Sequence, residues 1–193
     1  MTHRISRTAP ALALGLMLFA TGGVQATDLE PLAATARDAS DQLLELLKKT
    51  VTKAAKEKGP VYAIETCNTK ALPLTKELSE KLGIDVGRTS HKLRQPKNAP
   101  DAWETKVLAD FQARVAAGEK VKDMEFYEVV EGDDGQTFRY MKAIPLGGVC
   151  YNCHGDKIKP DLKAKLDELY PEDKARGFLP GDLRGAFTVK MKM

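Results

Sequence analysis

Met124-Glu125-Phe126-Tyr127-Glu128-Val129-Val130 and Thr137-Phe138-Arg139-Tyr140-Met141-Lys142-Ala143-Ile144, joined through Gly132-Asp133-Asp134-Gly135, decide how this chain folds. Both runs are rich in aromatic and β-branched residues, and the stretch between them has turn chemistry, so the pair reads as a β-hairpin. Directly after it stands Cys150-Tyr151-Asn152-Cys153-His154, framed by Gly147-Gly148 and Gly155-Asp156. C-x-x-C-H is the spacing at which two thiols add to the two vinyl groups of haem while the adjacent imidazole takes the iron. The flanking glycines predict a flexible loop lying against a porphyrin edge.

Working outward from the hairpin, helical patterns dominate. Ala36, Leu43, Leu47, Val51 and Ala54 recur at helical spacing, predicting a long amphipathic helix over about 29–58 that Gly59-Pro60 ends. A short second helix follows, with Val61, Ile64, Cys67 and Ala71 on one inward stripe and Pro73 limiting its length. Residues 86–94 read as extended, and Gln95-Pro96-Lys97-Asn98 as a polar turn. A third helix starts at Pro100-Asp101, where Asp101 and Glu104 have capping-box spacing. It buries Trp103, Val107, Phe111 and Val115, and stops at Gly118. Residues 160–170 form a short helix, and 185–191 a closing strand. Helices around an antiparallel sheet make the class α+β, which an all-helical cytochrome c bundle does not fit.

Other readings of the cysteines are weaker. A zinc site needs a second pair of ligands, and only Cys67 and His91 remain as distant candidates. A thioredoxin-like dithiol opens a helix after a strand, whereas this motif sits among glycines.

The N-terminus reads as an export signal: Arg4 and Arg7, the apolar run 11–20, then Val24-Gln25-Ala26 at the cleavage positions. The apolar run is shorter than the ~20 residues of a membrane span. Residues 1–26 are thus expected to be a signal peptide, and 27–193 a single c-type haem domain, periplasmic and without stable membrane insertion. Of the 30 basic residues, Arg4 and Arg7 leave with the signal, so 28 face 27 acidic ones. That balance argues against a nucleic-acid partner.

Two of the three cysteines are used by the haem motif, which leaves Cys67 unpaired in an oxidising compartment. It reads as a small buried hydrophobe on a helical stripe or as an iron ligand. His91, the other histidine beyond the signal, is a second candidate for the distal position, with a solvent-facing strand histidine as its plain reading. Met141 is a third, or else core filler. Arg88 and Arg94 are candidate partners of the haem propionates, because the guanidinium fork suits a carboxylate; exposed charge is the alternative. Trp103, Phe111 and Tyr140 either help enclose the porphyrin or serve the core.

The runs Val86-Gly87-Arg88-Thr89-Ser90, Arg94-Gln95-Pro96-Lys97-Asn98-Ala99-Pro100-Asp101-Ala102-Trp103-Glu104, Cys150 to Gly155, Tyr170-Pro171 and Arg184-Gly185-Ala186 together resemble a family of single-haem c-type domains. The resemblance covers nearly all of the chain after the signal. It implies a PAS-like antiparallel sheet with a long N-terminal helix and flanking helices around one covalent haem. It also implies a cysteine thiolate on the iron opposite His154, and the matching position is Cys67. An apolar residue is common in that family where His91 stands, so His91 is a departure.

Two functions compete. A periplasmic electron carrier would exchange single electrons with a redox partner protein. A sensor would detect redox state or a small diatomic ligand such as NO or CO and signal to a separate partner. A peroxidase would need an open distal site with an acid–base residue, and nothing in the spacing of His91 and Arg88 requires one.

Overall fold

The computed structural model describes residues 29–193, so the export signal and its cleavage position lie outside the described residues. Helix α1, Glu30–Lys58, buries Ala33, Ala36, Ser40, Leu43 and Leu47 along one stripe. Alanines near its start let the helix lie close on the sheet. Gly59, at φ 86°, ends α1 and leads directly into α2, Pro60–Leu82, with Pro60 in the first turn.

Helix α2 differs from the expectation of a short helix, because it runs through Pro73 for 23 residues. An interior proline removes one backbone hydrogen bond and costs about 3 kcal/mol. The apolar stripe nevertheless continues: Leu78 is buried, and Ala71 and Leu82 pack on the same core. That burial outweighs the missing bond. Gly83 closes α2 in the left-handed region, and the Ser79 hydroxyl then ties the helix to Val86 at the start of the sheet.

Four antiparallel strands follow, β1 Asp85–Thr89, β2 Glu125–Gly132, β3 Gly135–Pro145 and β4 Leu183–Lys192, in the order β1-β4-β3-β2. The hairpin forms as predicted, with Gly132 opposite Gly135. Gly135, at φ 98°, takes the conformation such a tight turn demands. The closing strand β4 lies inside the sheet, between β1 and β3. β1 is shorter than the extended reading of 86–94, because the Ser90 hydroxyl bonds to the Arg184 carbonyl and receives the Lys92 N–H, turning the chain.

Strand parity assigns the two faces. Val86, Phe138, Tyr140, Phe187 and Val189 lie under α1 and α2. Met141, Ala143 and Ala186 lie on the other face, under Val107, Leu108 and Phe111 of α3, Ala102–Ala116. The capping box at the start of α3 is present: Asp101 accepts from the Glu104 N–H at 2.9 Å, and Glu104 accepts from the Asp101 N–H at 3.0 Å. Asp101 also bonds Arg139 at 2.7 Å, which fastens α3 to β3. Asp101→Ala is expected to cost about 1–2 kcal/mol, chiefly through the lost cap, as read by urea denaturation. A change within error would show that the box does not hold α3.

Trp103, Phe111 and Tyr140 serve the core rather than a cofactor cavity. Trp103 donates to Glu128 at 2.6 Å and lies under the Arg139 guanidinium, while Phe111 is wholly buried beneath α3. Tyr140 donates to Glu125 at 2.8 Å, in a cluster with Arg37 of α1. Among the described residues no helix is long and apolar enough to cross a membrane.

Candidate functional site

The segment carrying the two clustered cysteines is helical, not the flexible loop its glycines predict. Gly148–Cys150 makes one 3-10 turn, and Tyr151–His154 makes one α turn, α4. Helical geometry puts residues three and four apart on one face. Cys150, Cys153 and His154 therefore line one cavity. Tyr151 points the other way and packs with Leu146, Ala175 and Phe178. Gly155 ends the turn where no other residue fits, since a Cβ there would stand 2.6 Å from the Tyr151 ring and carbonyl. The Phe178 N–H then donates to the His154 carbonyl at 3.1 Å, and the Gly177 N–H to that of Gly155 at 3.0 Å.

The cavity measures about 240 Å³ and sits on the α1–α2 side of the sheet. This is many times the roughly 10–15 Å³ that admits one water, so it is no packing defect. Its walls are mainly apolar, with Leu47 and Val51 from α1, Ala63 and Ile64 from α2, and Phe187 from β4. Among the described residues no carboxylate lines it, whereas Lys48, Arg88, Arg94 and Arg184 do.

The His154 ring is oriented from behind. Its Nδ1 lies 2.8 Å from the Ala175 carbonyl, which can only accept, and this contact is shorter than the 3.2 Å to Arg184 Nε, so Nδ1 carries the proton. Nε2 keeps its lone pair, with the Arg94 Nη1 donor 3.4 Å away. Burial, reinforced by the Arg184 and Arg94 guanidinia, holds the imidazole well below its usual pKa. It is thus neutral at neutral pH, the state a metal requires.

Arg94 braces this arrangement. Its guanidinium donates to Asp173 at 2.9 Å, to the Cys153 carbonyl at 2.6 Å and to the Ala175 carbonyl at 3.3 Å. Asp173, only 1 % exposed, also accepts from the Ala175 N–H at 2.9 Å and from Arg176 at 2.6 Å. Burial alone would raise the Asp173 carboxyl, but the bonds from Arg94 and Arg176 bring it below the usual carboxylate range. Arg94 is therefore already paired by a protein carboxylate, although it lines the cavity as the sequence reading places it.

Of the three candidates for the second axial position, Cys67 alone lines the cavity. Burial pushes its thiol up to about 11 against the opposing pull of Arg88, so without a metal it stays protonated. Met141 is fully buried on the opposite face of the sheet, as strand parity requires. His91 lies past the end of β1, exposed, with its ring edge-on to Phe178 at 6.2 Å. Neither lines the cavity.

Arg88 lines the cavity as anticipated, and burial lowers its pKa. Arg184 was not legible as a site residue. It reaches the cavity because β4 inserts beside β1 and the β3–β4 register shifts at Ile144/Pro145, leaving Arg184 out of the regular alternation. Its Nε stands 3.2 Å from His154 Nδ1. No local pattern marks it; the adjacent Gly185 is the one clue, since a Cβ there would collide with the Thr89 carbonyl at this strand crossing.

Thiols and imidazole on one face, a neutral ring with an unprotonated Nε2, apolar walls and surplus positive charge all fit a flat, anionic, iron-bearing tetrapyrrole. The architecture is that of an α+β, PAS-like domain. Residues 28–192 match the model of the Tll0287-like family, and the chain belongs to that family. Among solved structures it is similar to the crystal structure of the cyanobacterial heme-protein Tll0287, with 22% identity and a TM-score of 0.58 over 88% of this chain and 98% of the other. At that identity the likeness establishes the fold. No curated protein matches the chain.

Proposed function

We propose that this protein is an exported, periplasmic c-type cytochrome carrying one haem and working in one-electron transfer. The observation that carries the reading is the single helical face formed by Cys150, Cys153 and His154 on an apolar, cationic cavity. The structurally similar cyanobacterial protein is itself a heme-protein. Haem would supply a one-electron ferric/ferrous couple. In covalent attachment each thiol S–H adds across one vinyl double bond, forming a C–S bond with no leaving group. His154 offers Nε2 to the iron, and the Ala175 carbonyl keeps that nitrogen unprotonated. Cys67 would be the second protein ligand to the iron, its thiol giving up its proton to the positive charge of the metal. A thiolate donor favours ferric iron and sets a low potential.

One observation favours the second reading, a redox sensor that signals to a separate partner. The Cys67 thiol, pushed up to about 11 by burial, depends on the positive charge of the iron to stay ionised. Reduction would remove one unit of that charge and so would favour a protonated, unbound Cys67 thiol. A two-state change of this kind could be read by a partner.

Optical and EPR spectra of the mature protein beside Cys67→Ala test both readings. A low-spin thiolate signature in the ferric protein, lost in the variant, is the expected result. Its persistence on reduction favours the carrier, and its loss on reduction favours the sensor. A spectrum unchanged by Cys67→Ala removes Cys67 from the iron.

A further inference from the structure

We infer that Arg88 and Arg184 form a two-point anchor for the two carboxylates of the tetrapyrrole, one guanidinium to each, and that Arg94 takes no part. The inference rests on the haem reading above and identifies which of the cavity's cations are free for the cofactor.

The four lining cations differ in what they already bind. Lys48 stands on the surface helix α1, 3.7 Å from Glu45. The charge of Arg94 is already balanced by Asp173 through Nη2, which also donates to two carbonyls. Its Nη1 stands 3.4 Å from His154 Nε2, and its buried Nε has no partner among the described residues. Arg88 has neither a hydrogen-bonding nor a carboxylate partner among the described residues; the groups acting on it are the Cys67 and Cys150 thiols and the Tyr170 phenol. Arg184 donates to the Ser90 hydroxyl at 3.0 Å and the Lys92 carbonyl at 3.3 Å, stands 3.2 Å from His154 Nδ1, and bonds no carboxylate among the described residues. Two guanidinia withdrawn from bulk water without a counter-charge are costly. They mark where two negative charges are missing.

Placement supports the pairing. Arg88 faces Phe187 across the β1–β4 ladder, and Arg184 lies three residues before Phe187, at a β3–β4 register irregularity that lets it line the same cavity instead of the opposite face. The two backbones are thus separated by roughly 10 Å along the strands, within reach of two long side chains converging on one edge of a flat ligand. The arginine fork matches a carboxylate in two parallel bonds. The thiols and His154 hold other parts of the same ligand, so the arginines decide which edge points toward β1 and β4.

Resonance Raman spectra and redox titrations of the haem-loaded protein test this. Arg88→Gln and Arg184→Gln are expected to shift the propionate-bending bands and lower the midpoint potential. Loss of a nearby cation favours the more positive ferric site, and a carboxylate left without its cation titrates at higher pH, making the potential pH-dependent. Arg88→Lys keeps the charge and should restore most of the potential but not the band position. Lys53→Gln, which removes one charge from the exposed face of α1 outside the cavity, should change neither. If both glutamine variants match Lys53→Gln in bands and potential, the anchor is refuted. A wild-type protein carrying no haem would overturn the functional reading itself, and the anchor with it.

Discussion

Replacing Cys150 and Cys153 together by serine is expected to abolish covalent haem, the largest effect any change in this protein should produce. Each thioether needs a thiol, and the two thiols of this motif share one helical face with His154. The third, Cys67, lies on α2, 83 residues before Cys150 and outside the motif. A serine hydroxyl is a far weaker nucleophile toward a vinyl group than a thiol, so the double variant has no route to attachment. Each single variant should keep one bond and one free vinyl, which moves the reduced pyridine haemochrome bands to longer wavelength. The check is haem stain on a denaturing gel with pyridine haemochrome spectra, in a host that assembles c-type cytochromes. Full haem stain in the double variant would remove these cysteines from the attachment chemistry.

Asp173→Ala is expected to destabilise the fold by about 3 kcal/mol or more, because it leaves the Arg94 charge buried without its partner. Both side chains are withdrawn from water, at 1% and 11% exposure, so solvent screening does not dilute the loss. Asp173 also holds the Ala175 N–H, and the Ala175 carbonyl orients His154, so the damage reaches the imidazole proposed to hold the iron. The pH dependence has a definite sign. The carboxyl's pKa in the fold is below its unfolded value of about 3.9. Its stabilisation is therefore complete at neutral pH and is lost as pH falls through the folded value. Urea denaturation should show a wide gap between wild type and variant at neutral pH, narrowing in acid. A gap under about 1 kcal/mol at neutral pH would mean that the pair does not support the site.

Much of the architecture was readable because its signals are local. The capping box at Asp101, the hairpin through Asp133-Asp134 and the helix ended by Gly59 each depend on residues a few positions apart. Pro73 misled for the complementary reason: the rule for an interior proline is local, but the stripe that keeps α2 intact packs against distant α1 and the sheet. The glycines around the C-x-x-C-H motif misled similarly. They end and admit a short helix instead of loosening a loop, since Gly155 accommodates the Tyr151 ring and Gly148 sits at φ 54°.

The amino-acid sequence alone determined that this chain holds a C-x-x-C-H motif beside an antiparallel hairpin in an α+β domain, because spacing and periodicity are properties of neighbouring residues. Only the tertiary structure decided which distant groups meet that motif. Cys67 shares its cavity while Met141 faces the opposite side of the sheet and His91 lies beyond a strand end. Arg94 is neutralised by Asp173, 79 positions away, whereas Arg184 is carried to His154 by the insertion of β4 beside β1. Charges and ligands so far apart in the chain are matched by strand order and side-chain parity, which no local pattern encodes.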